Sequence, residues 1–210
     1  MREVKIEEFM CNLASEKPAP GGGAASGMVA SLSGALCSMV YSLTIGKKVF
    51  DELVDDDKEL MRENIEEAKG FYNEALNFAR KDEDAFNALM ATYKLPKSTD
   101  EEKKKRSHEI EKKTLTCMIV PLSLAEESIN FYKNIMFAAE KGNKNLVSDA
   151  AISAIMLHAT IESSIINVRV NLGFIKDENI QKSVKKKLNM IEENNNIMKM
   201  ECMEVVNKYM

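Results

Sequence analysis

A chain of 210 residues, 45% hydrophobic and 30% charged, is long enough for one substantial core and is expected to form one domain over residues 1–210. Its formal net charge of −4 argues against nucleic acid as a partner. Two histidines leave no His-rich metal site, and four cysteines without CxxC spacing (Cys11, Cys37, Cys117, Cys202) read as reduced thiols of a cytoplasmic protein.

The first ten residues, MREVKIEEFM, are too acidic and interrupted for a signal peptide, and a short amphipathic helix is predicted over 4–15. Pro18-Ala19-Pro20-Gly21-Gly22-Gly23 then opens a stretch, residues 18–46, without a charged side chain. A buried helix is predicted over 22–45, with Gly46 as its stop and Lys47-Lys48 just beyond. The run is long enough to span a bilayer. Its six hydroxyl residues (Ser26, Ser31, Ser33, Ser38, Ser42, Thr44) and its glycines and alanines suit the centre of a bundle instead, and no second segment of this kind is expected, so no membrane partner is expected. The three glycines at a helix start could hold an anionic or polar ligand on bare amides, or only make a tight turn between close helices. Lys47 and Lys48 either cap the negative helix end or recognise a carboxylate or phosphate.

Helical spacing of Val54, Met61, Ile65, Ala68, Tyr72, Ala75 and Ala79 predicts a third helix over 51–92, with a break marked by Lys81-Asp82-Glu83-Asp84. Asp82 and Asp84 point about 200° apart on a helix, so one can face inward while the other is solvated; an inward aspartate could accept a proton or hold an amidine-like edge. After a loop at 94–97, Ser98 and Glu101 read as a capping box for a helix over 99–141, kinked at Pro121 and ended by Gly142-Asn143. A fifth helix runs from 145–148 to 172. It begins with Ser148-Asp149, an N-cap pair or a pocket edge. Asn167 and Asn171 share one of its faces and need partners, backbone or ligand, while Arg169 lies on another. His158 reads as a core or interface histidine that Glu162 could partner, and His108 as solvated. From Asp177 a last helix carries the stripe Ile180, Val184, Leu188, Ile191, Met198, Cys202, Val205 to the C-terminus. The expected architecture is all-α, an up-and-down bundle of six long helices with apolar stripes enough for a homodimer.

Taken in order, PAPGGGAAS, LTIGKK, DEDAFNALMATYKLPK, GNKNLVSDAAISA and INVRVNLGFIKDE resemble the cyclodeaminase domain of formiminotransferase-cyclodeaminase and its free-standing bacterial relatives, including methenyltetrahydrofolate cyclohydrolases. The similarity covers residues 4–180. It implies an all-helical homodimer acting on tetrahydrofolate one-carbon units, with no metal and no cofactor beyond the folate substrate. The leading expectation is 5-formiminotetrahydrofolate cyclodeaminase; the alternatives are methenyltetrahydrofolate cyclohydrolase and a non-catalytic folate-binding or scaffold dimer. Carried over by position, Pro20, Gly21, Gly22 and Gly23 form the turn at the site. Lys47 steers the substrate's negative tail or polarises the reacting carbon, and Asp82 or Asp84 is the acid/base or pterin partner. Ser148, Asp149, Asn167 and Asn171 line the pocket, with Asp149 counted among the catalytic candidates. One departure is Glu162-Ser163-Ser164, where relatives often carry a small Gly-Ala pair after the glutamate. A helix over 22–45 places its glycine turn and Lys47 some ~30 Å apart, so if both serve one site the dimer partner supplies one of them.

Overall fold

The computed structural model describes residues 5–209, in which seven α-helices and no strand occur. They are α1 (Ile6–Leu13), α2 (Gly22–Ser42), α3 (Lys48–Asp51), α4 (Asp55–Thr92), α5 (Asp100–Lys141), α6 (Val147–Leu172) and α7 (Glu178–Asn207), with a 3-10 turn at Lys144–Leu146. The expected first helix began at Val4, outside the described residues, as is Met210 at the expected end of the last one.

α2, α4, α5 and α6 close into a four-helix ring, each packed on the next, and α7 lies over α5 and α6. Neighbours run antiparallel. Ser26 meets Ser163 and Ser33 meets Ser153 between α2 and α6, while Asn134 reaches back to Glu67 and Lys141 to Asp57 between α5 and α4. This is the up-and-down arrangement that the sequence predicts. Small residues set the closest approach. A Cβ on Gly27 would lie 2.8 Å from the Ala75 carbonyl oxygen, and one on Gly34 would lie 2.8 Å from the Phe71 ring. Two reciprocal hydroxyl bonds lock the middle of α2 to α6, Ser33 Oγ to the Ser153 carbonyl and Ser153 Oγ to the Ser33 carbonyl, both at 2.8 Å.

Several local expectations change. The helix expected over 51–92 is divided: α3 ends at Asp51, and α4 starts afresh with Asp55, Asp56 and Asp57 in its first turn, where carboxylates favour a helix N-terminus. No break occurs at 81–84, because α4 keeps Ala79, Ala85 and Leu89 buried on one continuous face. The capping box uses Thr99 and Glu102 rather than Ser98 and Glu101. Glu102 Oε2 accepts from the Thr99 amide at 3.0 Å and also from the Ser98 amide at 2.8 Å, so the signature is shifted by one residue. α5 runs on through Pro121. Proline has no N–H, so the carbonyl four residues back, that of Cys117, loses its helical donor. Asn171 of α6 replaces it, its Nδ2 lying 3.1 Å from that carbonyl oxygen.

α6 corrects a further expectation. Like α2, it is long and apolar enough to cross a membrane by length and composition, so among the described residues a second segment of that kind does occur. Half of each apolar window is buried inside the bundle. The outward half of the pair carries Leu32 on α2 and Leu43 just after it, and Ile152, Ile155, Ile166 and Val170 on α6, each 43 to 60% exposed. Their spacing makes one stripe along each helix.

Candidate functional site

The start of α2 has no acidic residue in its first turn and no side-chain cap, so its amides are free to receive a group from elsewhere. That group comes from α4. Ala75, Ala79 and Asp82 recur at i, i+4 and i+7 along the face that meets α2, so Asp82 is delivered to the α2 N-terminus by the phase that buries the alanines. Its carboxylate lies where a side chain at Gly23 would be: a Cβ built there would stand 2.1 Å from Asp82 Oδ1. Burial pushes the Asp82 carboxyl above the usual aspartate range, and the Ala24 amide, which hydrogen-bonds it, partly opposes that push. The result is a half-buried carboxylate with raised proton affinity against bare helix amides. Asp84, two residues on, points to solvent and takes no part in this cluster.

α6 closes the other side. Asn167 faces Gly22, its Oδ1 3.7 Å from where a Gly22 Cβ would be, and its Nδ2 donates to the Ser163 carbonyl at 3.1 Å. Ser163 Oγ accepts from Ser26 Oγ at 2.9 Å, and Ser26 Oγ also reaches the Gly22 carbonyl oxygen at 2.8 Å. A short chain of hydroxyls therefore ties the glycine turn to the asparagine. Asn171 lies one turn further along, with its Nδ2 held by the Cys117 and Asn167 carbonyl oxygens. The Cys117 thiol is pushed up to about 11, first by burial and then by the charge of Asp82. Pro20 and Gly21 lead into this cluster, and the Ala19–Pro20 peptide is cis.

The remaining expected site residues are elsewhere in the same chain. Gly46 turns the chain with φ of 75°, Lys47 follows it exposed, and Ser148 and Asp149 start α6 beside them; Thr44 Oγ1 accepts from the Asn143 amide at 2.9 Å and joins the two loops. α2, 21 residues long, separates this group from the Gly23–Asp82 cluster by ~30 Å. His158 Nε2 lies 3.5 Å from Glu162 one turn on within α6, whereas Arg169 forms a forked pair with Glu192 that joins α6 to α7. Ser26, Ser163 and Cys117 are cluster members that the sequence reading did not single out. The first two meet across 137 positions of chain, which no local pattern reveals; for Cys117 the signal was the proline four residues after it. Among the described residues no group of three His, Cys, Asp or Glu side chains is arranged to hold a metal ion.

A sequence profile described as formiminotransferase-cyclodeaminase matches residues 5–190. The chain is 37% identical over 172 residues to a methenyltetrahydrofolate cyclohydrolase of Methylorubrum extorquens, covering 82% of this chain and 81% of that protein. It is 33% identical over 170 residues to the formimidoyltransferase-cyclodeaminase of Gallus gallus, covering 81% of this chain but 31% of the longer relative. The crystal structure of a formiminotetrahydrofolate cyclodeaminase from Thermotoga maritima has the same fold, with a TM-score of 0.87 at 26% identity, covering 99% of this chain and 98% of that one.

Proposed function

The chain belongs to the formiminotransferase-cyclodeaminase family, and on that premise we propose that it is a methenyltetrahydrofolate cyclohydrolase working as a homodimer in the cytoplasm. One observation carries the choice of reaction. The 37% identity to the Methylorubrum cyclohydrolase extends over four fifths of both chains, whereas the Gallus bifunctional relative is matched over less than a third of its length. The cyclodeaminase reaction is the second reading, favoured by the fold shared with the Thermotoga protein at nearly full coverage.

In the cyclohydrolase reaction water adds to the methenyl carbon between N5 and N10. Water loses one proton as it adds, the new hydroxyl loses the second as the carbon–oxygen double bond forms and the bond from carbon to N5 breaks, and N5 takes up one proton, so 10-formyltetrahydrofolate forms with one proton released to solvent. Asp82 is the group suited to accept the first proton and return one to N5, since raised proton affinity brings a carboxyl closer to the working pH. Asn167 and the amides of Gly22 and Gly23 orient the ring system. The cyclodeaminase reaction passes through a similar tetrahedral carbon with ammonia as the leaving group, so the same carboxylate serves either.

Lys47, Ser148 and Asp149 join this site from a second copy. A two-fold axis perpendicular to α2 and α6, passing through the middle of their outward apolar stripes, covers Leu32 and Ile155 and brings the Lys47 end of one chain to the Gly23–Asp82 end of the other. The reading predicts faster loss of the methenyl absorbance when purified protein meets 5,10-methenyltetrahydrofolate. Appearance of that absorbance from 5-formiminotetrahydrofolate would instead assign the deaminase. Folate binding without either change would make the protein a non-catalytic binder.

A further inference from the structure

α1 is seated on the bundle by apolar contact, and the contact lies one turn from Asp82. Of its eight residues only Phe9 is buried; Leu13, one turn on, is half-buried, while Ile6 and Met10 are 70% and 53% exposed. The polar side chains after it bond within the same segment. Ser15 Oγ donates to the Asn12 carbonyl oxygen at 2.7 Å, and Lys17 Nζ to Asn12 Oδ1 at 2.9 Å. These bonds fix the end of α1 and leave its hold on the bundle to Phe9 and Leu13.

The Phe9 ring fills a notch between two alanines. Ala24 in the first turn of α2 and Ala79 on α4 have no exposed surface, and both form one apolar cluster with Phe9, with Leu13 and Met28 packed against it. Side chains no larger than methyl on both helices leave room for the ring there. The next contact along this α2–α4 seam is Gly23 against Asp82. Ala24 also donates its amide to the Asp82 carboxylate, and Ala79 precedes Asp82 by three residues on the same helix face. The two residues under the ring are therefore the immediate neighbours of the carboxylate.

Charge near Asp82 is sparse on every side. α2 lies within the uncharged stretch 18–46, α6 brings the neutral Asn167 and Asn171, and α5 brings the Cys117 thiol. On α4 Glu83 adds to the proton affinity of Asp82, while Arg80, Lys81 and Asp84 are exposed, as are Glu7 and Glu8 on α1. Burial outweighs Glu83 as the cause of that raised affinity, so the apolar cover matters more than any neighbouring charge.

We propose that Phe9 is a positioning residue of the site: by covering the Ala24–Ala79 seam it keeps water from Asp82 and readies that carboxylate for proton transfer. The inference rests on the proton-transfer role given to Asp82 above. A carboxylate shielded from water is a stronger base than a solvated one and takes a proton from the attacking water more readily. α1 is then a wall of the site, held there by one ring.

Carbon NMR of protein labelled at the aspartate carboxyls follows the Asp82 titration directly, its signal being the one missing from Asp82→Asn. In Phe9→Ala the midpoint is expected to fall toward the ordinary aspartate range. Phe9→Leu, which keeps an apolar cover, returns it to the parent value, and Met10→Ala, on the exposed side of α1, leaves it unmoved. With 5,10-methenyltetrahydrofolate, the kcat–pH profile of Phe9→Ala is expected to move in the same direction, with plateau kcat lower by ~3-fold or more and KM within about twofold of the parent. Circular dichroism checks that the bundle stays folded, and Phe9→Val takes the place of Phe9→Ala if it does not. An unmoved Asp82 midpoint in the folded variant overturns the inference. A raised KM with kcat and profile intact also overturns it, since the ring would then belong to the substrate surface. A shifted midpoint with an unmoved turnover profile removes Phe9 from the reaction. If no folate is turned over the enzyme reading fails, and the midpoint alone then decides whether Phe9 shields Asp82.

Discussion

The Asp82 carboxylate occupies the space that a side chain at Gly23 would need. This contact distinguishes two kinds of glycine on one helix. At Gly23 the obstructing atoms are the far end of a side chain that can rotate away. At Gly27 they are the Ala75 carbonyl and the Ala79 amide of the neighbouring helix, which cannot. Gly23→Ala is therefore expected to keep the fold and its melting temperature while turnover falls at least ~10-fold as Asp82 is displaced. Gly27→Ala is expected to destabilise by about 1–3 kcal/mol in a denaturant titration.

In the proposed proton-transfer role, Asp82 would couple activity to pH. Its carboxyl is raised by burial, so the folded protein holds this proton more tightly than the unfolded chain does. The contribution to stability is therefore greatest below the unfolded pKa and is lost as pH rises through the folded one. Asp82→Asn is expected to abolish turnover while leaving the protein at least as stable at neutral pH. In the parent protein, turnover is expected to rise with pH through a carboxyl pKa above the ordinary aspartate value. A profile flat across that range would remove Asp82 from the proton-transfer role.

Asn171 and Pro121 form a second dependent pair. Removing the amide in Asn171→Ala leaves the Cys117 carbonyl without a donor, a cost of about 1–3 kcal/mol. Pro121→Ala restores a helical N–H to that carbonyl. The double variant is thus expected to recover part of the loss, and a cycle of four denaturant titrations measures the coupling.

The shared site can be tested by mixing inactive proteins. Lys47→Ala and Asp82→Asn homodimers are each expected to lack activity. Refolded together in equal amounts, they give heterodimers in which one of two sites carries both parent residues, and about a quarter of the parental activity returns. No recovery would place Lys47 outside the site that contains Asp82.

The outward stripe predicts the association surface. Ile155→Lys, at a residue 48% exposed in the single chain, is expected to give a monomer by light scattering with the helical circular dichroism unchanged. A persistent dimer would move the interface elsewhere.

Much of the bundle was legible because its helices carry their own punctuation, the glycines before α2 and Asp177 before α7; Gly46, read as the stop of a helix over 22–45, lies beyond the end of α2 at Ser42. The choice between Asp82 and Asp84 was not, since helical spacing says only that they diverge; it took the contact with α2 to show that Asp82 continues the alanine face. That an asparagine fifty positions later supplies the donor lost at Pro121 was not legible, because no local spacing links the two. Asn171, read as pocket lining, has its amide engaged by backbone in supplying it. The fifth helix reads as apolar and small in its first half, but not as a second run of bilayer length, because Asp149, Glu162 and Arg169 interrupt it at intervals.

The length of α2 has a kinetic corollary. With Lys47 and Asp82 held ~30 Å apart by a rigid helix, the proposed shared site would leave a lone chain with two half-sites and no whole one. Turnover per chain would then depend on dilution, falling in proportion to protein concentration once most chains are separated. Specific activity becomes a gauge of association, readable without any physical measurement of size.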